Sequence, residues 1–148
     1  MSMNDYEAVY HLWISTPGMG LNNLDDSKEG IEKYLERNPT TCFVAEDSGT
    51  IIGVILCGHD GRRGFIYHTA VHVNYRNQGI ARSLVKSAIQ ALEEEGINKV
   101  ALVVFGENKI GNAFWDKLGF SDRLDLVYRN KGIREFQRID TSNSYPKC

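Results

Sequence analysis

The chain has 148 residues, 42% hydrophobic and 24% charged, a composition typical of one globular domain, residues 1–148, with a sizeable core. Its net charge is −2 at pH 7 and no apolar run reaches membrane-spanning length, so neither nucleic acid nor a membrane is expected as a partner. The three cysteines lack metal-ligand spacing and favour a reducing compartment, and we expect a cytoplasmic protein without a metal.

Two helices are expected first. Apolar and aromatic residues recur at helical spacing over residues 5–13, and the Pro17-Gly18 pair ends that pattern. A loop rich in Gly, Asn and Asp follows over residues 18–26. Ser27 is the expected N-cap of a second helix over residues 28–37.

Strands follow the two helices. Residues 41–46, 51–58 and 65–73 are strand-like runs separated by turn signals, which predicts an antiparallel meander. A helix over residues 80–95 then separates the third run from another strand over residues 98–105. Because a helical crossover joins parallel strands, we expect those two strands to be parallel.

The last third of the chain is less regular. A short helix is predicted over residues 109–118, and residues 120–128 read as one bent strand or two short ones. Residues 133–140 match neither the helical nor the strand period, and residues 141–148 read as a frayed tail. The elements together indicate a mixed α/β (α+β) fold.

The turn Arg76-Asn77-Gln78-Gly79-Ile80-Ala81 lies between the third strand and the long helix. The first four N–H groups of a helix have no partner within it, and the helix dipole there favours negative charge. A pyrophosphate would fit this place. On the turn alone, an ordinary strand-to-helix connection with solvated Arg76 and Arg82 is an equally good interpretation.

The order of elements and three motifs resemble the GNAT superfamily of N-acetyltransferases over residues 4–130. The family's acetyl-CoA loop, Gln/Arg-x-x-Gly-x-Gly/Ala, is matched by Arg76, Gly79 and Ala81. The apolar strand before that loop is matched by residues 70–73, and the family's late block by Asn108, Trp115 and residues 118–120. The hairpin over residues 58–64 and the strand after it resemble the branch of small bacterial members similar to YpeA.

The resemblance implies a mostly antiparallel central sheet flanked by about four helices. It also implies acetyl-CoA as the acyl donor, and transfer to the primary amine of a small molecule or peptide by direct attack on the thioester. The residues it assigns to acetyl-CoA are Val71, His72, Val73, Arg76, Asn77, Gln78, Gly79, Ile80, Ala81, Arg82, Asn108 and Trp115. Asn108 also reads as the N-cap of the next helix, and both roles are compatible.

The chain departs from the family at its beginning, since the family's first strand is missing and helical pattern starts near Asp5. An unprotected sheet edge invites pairing. We therefore expect residues 133–140, from the same chain or a neighbouring one, to cover that edge. A homodimer is one consequence of this expectation.

A second departure concerns the proton route. The family's tyrosine that protonates the leaving thiolate is replaced by Trp115, whose indole cannot deliver a proton at neutral pH. Three substitutes for that tyrosine stay open, namely Tyr128, a water molecule and the substrate's own proton. The candidates for the base that deprotonates the amine are Glu46 at a strand end and His68 within the third strand. His59 and His72 are further candidates.

Other interpretations of these residues stay open. Glu46 could be a solvated strand-end carboxylate and His68 a packed core histidine. Asp25 and Asp26, in the loop expected to shape the acceptor pocket, suit a cationic amine or are simply solvated. The rival functions are a non-catalytic acyl-CoA-binding module or sensor and, less favoured, a binder of nucleotide phosphates.

Overall fold

The computed structural model describes residues 1–141. Its helices are α1 (Tyr6–Ser15), α2 (Lys28–Arg37), α3 (Ile80–Glu94) and α4 (Lys109–Lys117). Its strands are β1 (Gly20–Asn22), β2 (Phe43–Asp47), β3 (Thr50–His59), β4 (Gly64–Val71), β5 (Val100–Leu102) and β6 (Arg138–Asp140). Short 3₁₀ turns over Met3–Asp5 and Val73–Tyr75 precede α1 and follow β4.

The main sheet has the strand order β2-β3-β4-β5. The first three strands form an antiparallel meander, and β5 is parallel to β4, so the predicted topology is confirmed. The parallel pairing extends only from Gly64 to Ile66 on β4. Beyond Ile66, β4 continues to Val71 without a partner strand on that side within residues 1–141.

A β-bulge interrupts β4 directly after that point. Ile55 of β3 lies opposite Thr69, and Cys57 lies opposite Ile66. One residue therefore separates the two pairs on β3, whereas Tyr67 and His68 separate them on β4. A bulge bends its strand and redirects side chains, so the bulge determines where the His68 side chain lies.

Apolar residues cover both faces of the sheet. Because successive strand residues point to opposite faces, Val54 and Leu56 of β3 pack against α1 and α2, while Ile55 and Cys57 pack against α3. The first face also buries Val9, Trp13 and Ile31, and the second buries Ile66, Leu84, Val85 and Ala88. This two-sided burial explains why β3 is almost continuously apolar.

The helix boundaries follow the expected capping residues. The Ser27 hydroxyl accepts the Gly30 N–H at 3.0 Å at the start of α2. Gly96 follows α3 with a φ of +75°, a conformation that suits glycine at a helix end. No helix within residues 1–141 has both the length and the hydropathy to cross a membrane.

The structure corrects three expectations about the edges of the fold. Residues 120–128 form no strand and pair with no strand of the described chain. The predicted strand over 98–105 is regular only at Val100–Leu102. A short strand, β1, was not expected within the loop over 18–26, where it pairs with β6.

The end of the chain does not cover the edge left by the missing first strand. Residues 138–140 form β6, in which Ile139 pairs with Leu21 of β1 and not with the main sheet. The expectation that residues 133–140 of the same chain cover the open sheet edge is therefore wrong. Thr141 N–H donates to the Met19 carbonyl. The rest of the tail that the sequence predicts to be frayed, residues 142–148, lies outside the described residues.

Candidate active site

The far half of β4 presents backbone groups to an open side of the sheet. His72 N–H donates to the Ile52 carbonyl on β3 at 2.8 Å. Successive residues of an antiparallel strand direct their N–H groups to opposite sides, so the Val71 N–H points away from β3. On that side β5 has already separated from β4. An N–H group placed there can donate to an incoming carbonyl oxygen.

The turn after β4 is a second place where backbone N–H groups can donate hydrogen bonds. Asn77 and Gly79 have φ angles of +61° and +80°, a left-handed conformation that asparagine and glycine tolerate best. Turns of this kind direct successive N–H groups into a concavity that suits an anion. Gly79 caps α3 without a side-chain hydrogen bond, so no side chain occupies the helix N-terminus as an internal cap.

A cleft of about 260 Å³ opens beside this turn, between β2 and α3. Its lining includes Gln78, Gly79 and Ile80 on one side and residues 43–45 on the other. Because the cleft is on the β2 side of the turn, it gives access to the turn and is distinct from the gap between β4 and β5.

The charged and polar residues around the turn have different positions. Arg76 and Arg82 are exposed, and the Arg76 Nε donates to the Val71 carbonyl at 3.3 Å. His72 Nδ1 accepts the Asn74 N–H at 3.3 Å, so His72 supports the 3₁₀ turn. Val73 is exposed. Within the described residues, the Arg82 guanidinium and the two terminal nitrogens of Arg76 make no hydrogen bond, so these groups can turn toward an anion.

His68 makes a short hydrogen-bond contact with a buried carboxylate. Its Nε2 lies 2.6 Å from Asp26 Oδ1, and Asp26 is only 4% exposed. The other carboxylate oxygen of Asp26 accepts the Asn22 N–H at 2.7 Å. The Trp13 ring packs edge-on against the imidazole, with ring centroids 4.9 Å apart.

This pair replaces the solvated interpretation of Asp26. Its carboxylate is buried and hydrogen-bonded on both oxygens, which is what a buried charge requires. The His68 Nδ1 makes no hydrogen bond with residues 1–141, so one ring nitrogen is anchored and the other is available. Nothing in the sequence indicated that Asp26 pairs with His68. The two residues are 42 positions apart, and Asp26 lies in a segment whose Gly, Asn and Asp content is ordinary for a loop.

Tyr67 directly follows the point where β4 and β5 separate. Burial raises the pKa of Tyr67, and the nearby Tyr128 and Asp25 side chains raise that pKa further. Tyr128 itself is exposed. The structure therefore brings a candidate acid close to the residue that precedes His68.

Glu46 is not part of this group. It is exposed near the end of β2, two strands from β4, and its side chain makes no hydrogen bond within the described part of the chain. His59 is also remote: it ends β3 and its Nδ1 accepts the Gly61 N–H in the hairpin turn. Of the histidines considered, His68 alone is held by a carboxylate within hydrogen-bond distance in residues 1–141.

Two residues of the late block belong to α4 and its cap, Trp115 within the helix and Asn108 directly before it. Asn108 Oδ1 accepts the Gly111 N–H at 2.9 Å, which confirms its expected N-cap role. Trp115 is packed between Phe114 and Phe120, with ring centroids 5.0 Å and 5.1 Å away, beside the core that faces α3. Among residues 1–141, no group of His, Cys, Asp and Glu side chains is arranged to hold a metal ion.

The chain is similar in sequence to known proteins. The model of the acetyltransferase (GNAT) family matches residues 6–120. An acetyltransferase of Sodalis glossinidius is 32% identical over 134 residues, which covers 90% of this chain and 93% of the relative.

Two solved structures share the fold. Ard1 from Thermoplasma volcanium matches with a TM-score of 0.72 and 21% identity, over 82% of this chain and 79% of that one. AAC(6')-Iy, in complex with the bisubstrate analog CoA-S-monomethyl-acetylneamine, matches with a TM-score of 0.68 and 19% identity, over 89% of this chain and 95% of that one.

Proposed function

Since this chain belongs to the GNAT family of acetyltransferases, we propose that it transfers the acetyl group of acetyl-CoA to a primary amine by direct attack. One observation carries the proposal: an open backbone edge on β4 ends eight residues before the uncapped N-terminus of α3 at Gly79. The first can hold a thioester and the second a pyrophosphate. Acetyl-CoA carries both groups on one flexible arm.

The donor contacts follow from those two places. The pantetheine arm would lie beside β4, where Val71 N–H donates to the thioester carbonyl and residues 72–73 line its path. Backbone N–H groups from Asn77 to Ala81 would donate to the pyrophosphate, with Arg76 and Arg82 as charge partners. Asn108 would reach the pantetheine arm from the start of α4, and Trp115 would hold α4 in place by packing against the core.

His68 is the proposed proton acceptor. An alkyl amine has a pKa of about 10 and is mostly protonated at neutral pH. The imidazole takes the proton on Nδ1 while Asp26 holds Nε2, the arrangement by which a carboxylate orients a catalytic histidine. The neutral nitrogen then attacks the thioester carbon, the C–N bond forms, and the Val71 N–H stabilises the oxyanion.

The C–S bond then breaks, the new amide nitrogen gives up its remaining extra proton to water, and the CoA thiolate takes a proton. Tyr128 is the proposed donor because it is exposed and close enough to Tyr67 to raise the pKa of that residue, with water as the alternative donor. Glu46 could act only through a chain of waters from the end of β2, and the geometry favours His68 over it.

The proposed acceptor is the primary amine of a small molecule or a peptide. Asp25 is exposed and close enough to Tyr67 to raise its pKa, so it offers a negative charge to a cationic substrate. The AAC(6')-Iy structure is consistent with this choice, because a protein of the same fold binds a bisubstrate analog that contains CoA. The free, buried Cys42 and Cys57 are consistent with a cytoplasmic location.

An acceptor screen tests the proposal. Purified protein and acetyl-CoA are incubated with amino acids, polyamines, aminoglycosides and peptides, and release of the free CoA thiol is followed together with calorimetric binding of acetyl-CoA. Turnover with at least one amine class supports the proposal. Binding of acetyl-CoA without turnover of any amine would favour a sensor, and preferential binding of ATP or NAD would favour a nucleotide site.

A further inference from the structure

The bulge in β4 places two consecutive side chains on one face of the sheet. The His68 ring packs against Trp13 of α1, and the Tyr67 ring packs against Tyr34 of α2. Neighbouring residues of a regular strand point to opposite faces, so the shared face is a consequence of the bulge. The Tyr67 ring therefore lies on the same side of the sheet as the imidazole that is the proposed proton acceptor.

Tyr67 belongs to a group of three aromatic rings. Its ring centroid lies 4.7 Å from that of Phe65 and 5.8 Å from that of Tyr34. Phe65 and Tyr34 are half-buried, whereas Tyr67 is 53% exposed. Two rings thus hold Tyr67 in place while part of its own ring stays open to solvent. The face of an aromatic ring held in this way attracts a cation.

The Asp25 carboxylate adds a negative charge to this surface. Asp25 is exposed and directly precedes Asp26, which holds the His68 ring. Its backbone N–H donates to Asn22 Oδ1 at 2.7 Å and its Oδ2 accepts from Asn22 Nδ2 at 2.9 Å, so the side chain is oriented. Its Oδ1 makes no hydrogen bond with residues 1–141. After burial and the nearby Tyr128, the Asp25 charge contributes to the raised pKa of Tyr67.

The nitrogen that attacks the thioester is a poor partner for this carboxylate. That nitrogen has to be neutral when it attacks, whereas a nearby negative charge favours the protonated amine and raises its pKa. Asp26 is already occupied by His68 and by the Asn22 N–H. The charge of Asp25 therefore matches a different group, one that stays cationic throughout the reaction.

We propose that the acceptor is a primary amine with a second ammonium group, as in a small diamine or polyamine. The second ammonium binds between the Tyr67 ring and Asp25 Oδ1 while the first amine reaches His68 Nδ1. The assignment rests on the proposed acetyl transfer with His68 as the base, and it adds Tyr67 and Asp25 as the residues that select the substrate. A simple alkyl amine offers nothing to Asp25, and an amine with a distal carboxylate is repelled by it.

Three acceptors with the same alkyl stem test this selection. Cadaverine, hexylamine and ε-aminocaproate carry one reactive amine and, at the far end, an ammonium, a methyl and a carboxylate group respectively. We expect kcat/KM for cadaverine to exceed that for hexylamine about tenfold, from an ion pair and a cation–π contact together. ε-Aminocaproate should be the poorest of the three. Equal values for cadaverine and hexylamine, or a preference for hexylamine, would overturn the proposal.

Variants of the two selecting residues test where the preference arises. Asp25→Asn and Tyr67→Leu should each lower the cadaverine-to-hexylamine ratio of kcat/KM several-fold, whereas Tyr67→Phe keeps a ring face and most of the ratio. Asp47→Asn is the matched control, because Asp47 is an exposed aspartate at the end of β2, and it should keep the wild-type ratio. An Asp25→Asn variant with the wild-type preference for cadaverine contradicts the assignment.

Calorimetry separates this inference from the proposed function. Cadaverine should bind the wild-type protein about tenfold more tightly than hexylamine does, and Asp25→Asn should remove most of that difference. Tighter binding of cadaverine without turnover of any amine would refute acetyl transfer and leave the ammonium subsite standing. Equal binding of the two amines would refute the subsite, whatever the outcome of the turnover assay.

Discussion

Replacing His68 with glutamine tests the chemistry of the buried pair most directly. A glutamine amide can still donate to Asp26 Oδ1, so the hydrogen bond to this buried carboxylate is largely kept. The amide cannot accept a proton from the substrate amine. His68→Gln therefore separates the proposed proton transfer from the structural role of the side chain.

The expected loss follows from that difference. General base catalysis by a positioned side chain contributes about 10²–10⁴-fold to rate, and no second histidine in residues 1–141 is placed to replace His68. We therefore expect kcat to fall by about 10²-fold or more. The acetyl-CoA dissociation constant should stay within about twofold, because the proposed donor contacts lie on the Val71 backbone and the turn at Gly79.

Asp26→Asn tests the positioning role. Asparagine keeps an oxygen for the Asn22 N–H but presents either a neutral oxygen or an NH₂ group to the imidazole. The ring then loses the charge that holds its Nε2, and we expect kcat to fall about tenfold or more with KM for acetyl-CoA little changed. The unfolding free energy should fall by about 1–3 kcal/mol, the cost of disturbing a buried hydrogen-bonded group.

The assay is CoA release with the best acceptor from the screen, together with calorimetric binding and urea unfolding of each variant. His11→Ala is the control, because His11 is exposed on α1; its kcat should match the wild type. Added imidazole should restore part of the activity of His68→Ala, in which a cavity replaces the ring. A folded His68→Gln variant with wild-type kcat would refute the assignment of His68 as the base.

Three further predictions concern the turn, the thiols and a helix cap. Gly79→Val should raise the acetyl-CoA dissociation constant about tenfold, or 1.4 kcal/mol. Gly96→Val is the control, because Gly96 has a similar positive φ and equally open surroundings; it should lower stability and leave binding unchanged. Equal affinities of the two variants for acetyl-CoA would contradict the loop assignment. Burial raises the pKa of Cys42 to about 11 and that of Cys57 to about 12, so both thiols should resist iodoacetamide at pH 8 until urea unfolds the chain, as peptide mass spectrometry can show. The thiols of the unfolded chain ionise near pH 9.0. Their contribution to the unfolding free energy should therefore be constant below that pH and fall as pH rises toward 11. An unfolding free energy that stays flat between pH 9 and 11 would count against burial of the two thiols. Ser27→Ala should cost about 1 kcal/mol in urea unfolding through loss of the Gly30 contact, and an unchanged midpoint would show that the cap contributes nothing.

The elements that the sequence predicted well are those with strong local signals. α2 begins after Ser27 and α3 begins after Gly79, where residue type alone restricts the backbone. The meander and the parallel crossover follow from strand-like runs and from the helix between them. The turn over residues 76–81 was recognisable for the same reason, since its glycine, its flanking strand and its helix are all local features.

Other parts of the fold depend on contacts between distant residues. β1 and β6 are each three residues long and exist because they pair across more than a hundred residues of sequence. Residues 120–128 have strand-like composition but no paired strand within the described chain, so composition alone misled the prediction. The bulge at Tyr67 and His68 is visible only when the register of β3 against β4 is known.

The sequence by itself determined the family, and it identified the turn over residues 76–81 as the candidate donor loop and His68 as a candidate base, because each depends on residue types at fixed spacing along the chain. Only the tertiary structure decided which candidate base has a partner. Asp26 comes from the loop after β1 and His68 from a bulged strand, and the packing of Trp13 beneath the imidazole completes the arrangement. Such a site depends on distances between elements that the order of residues does not record.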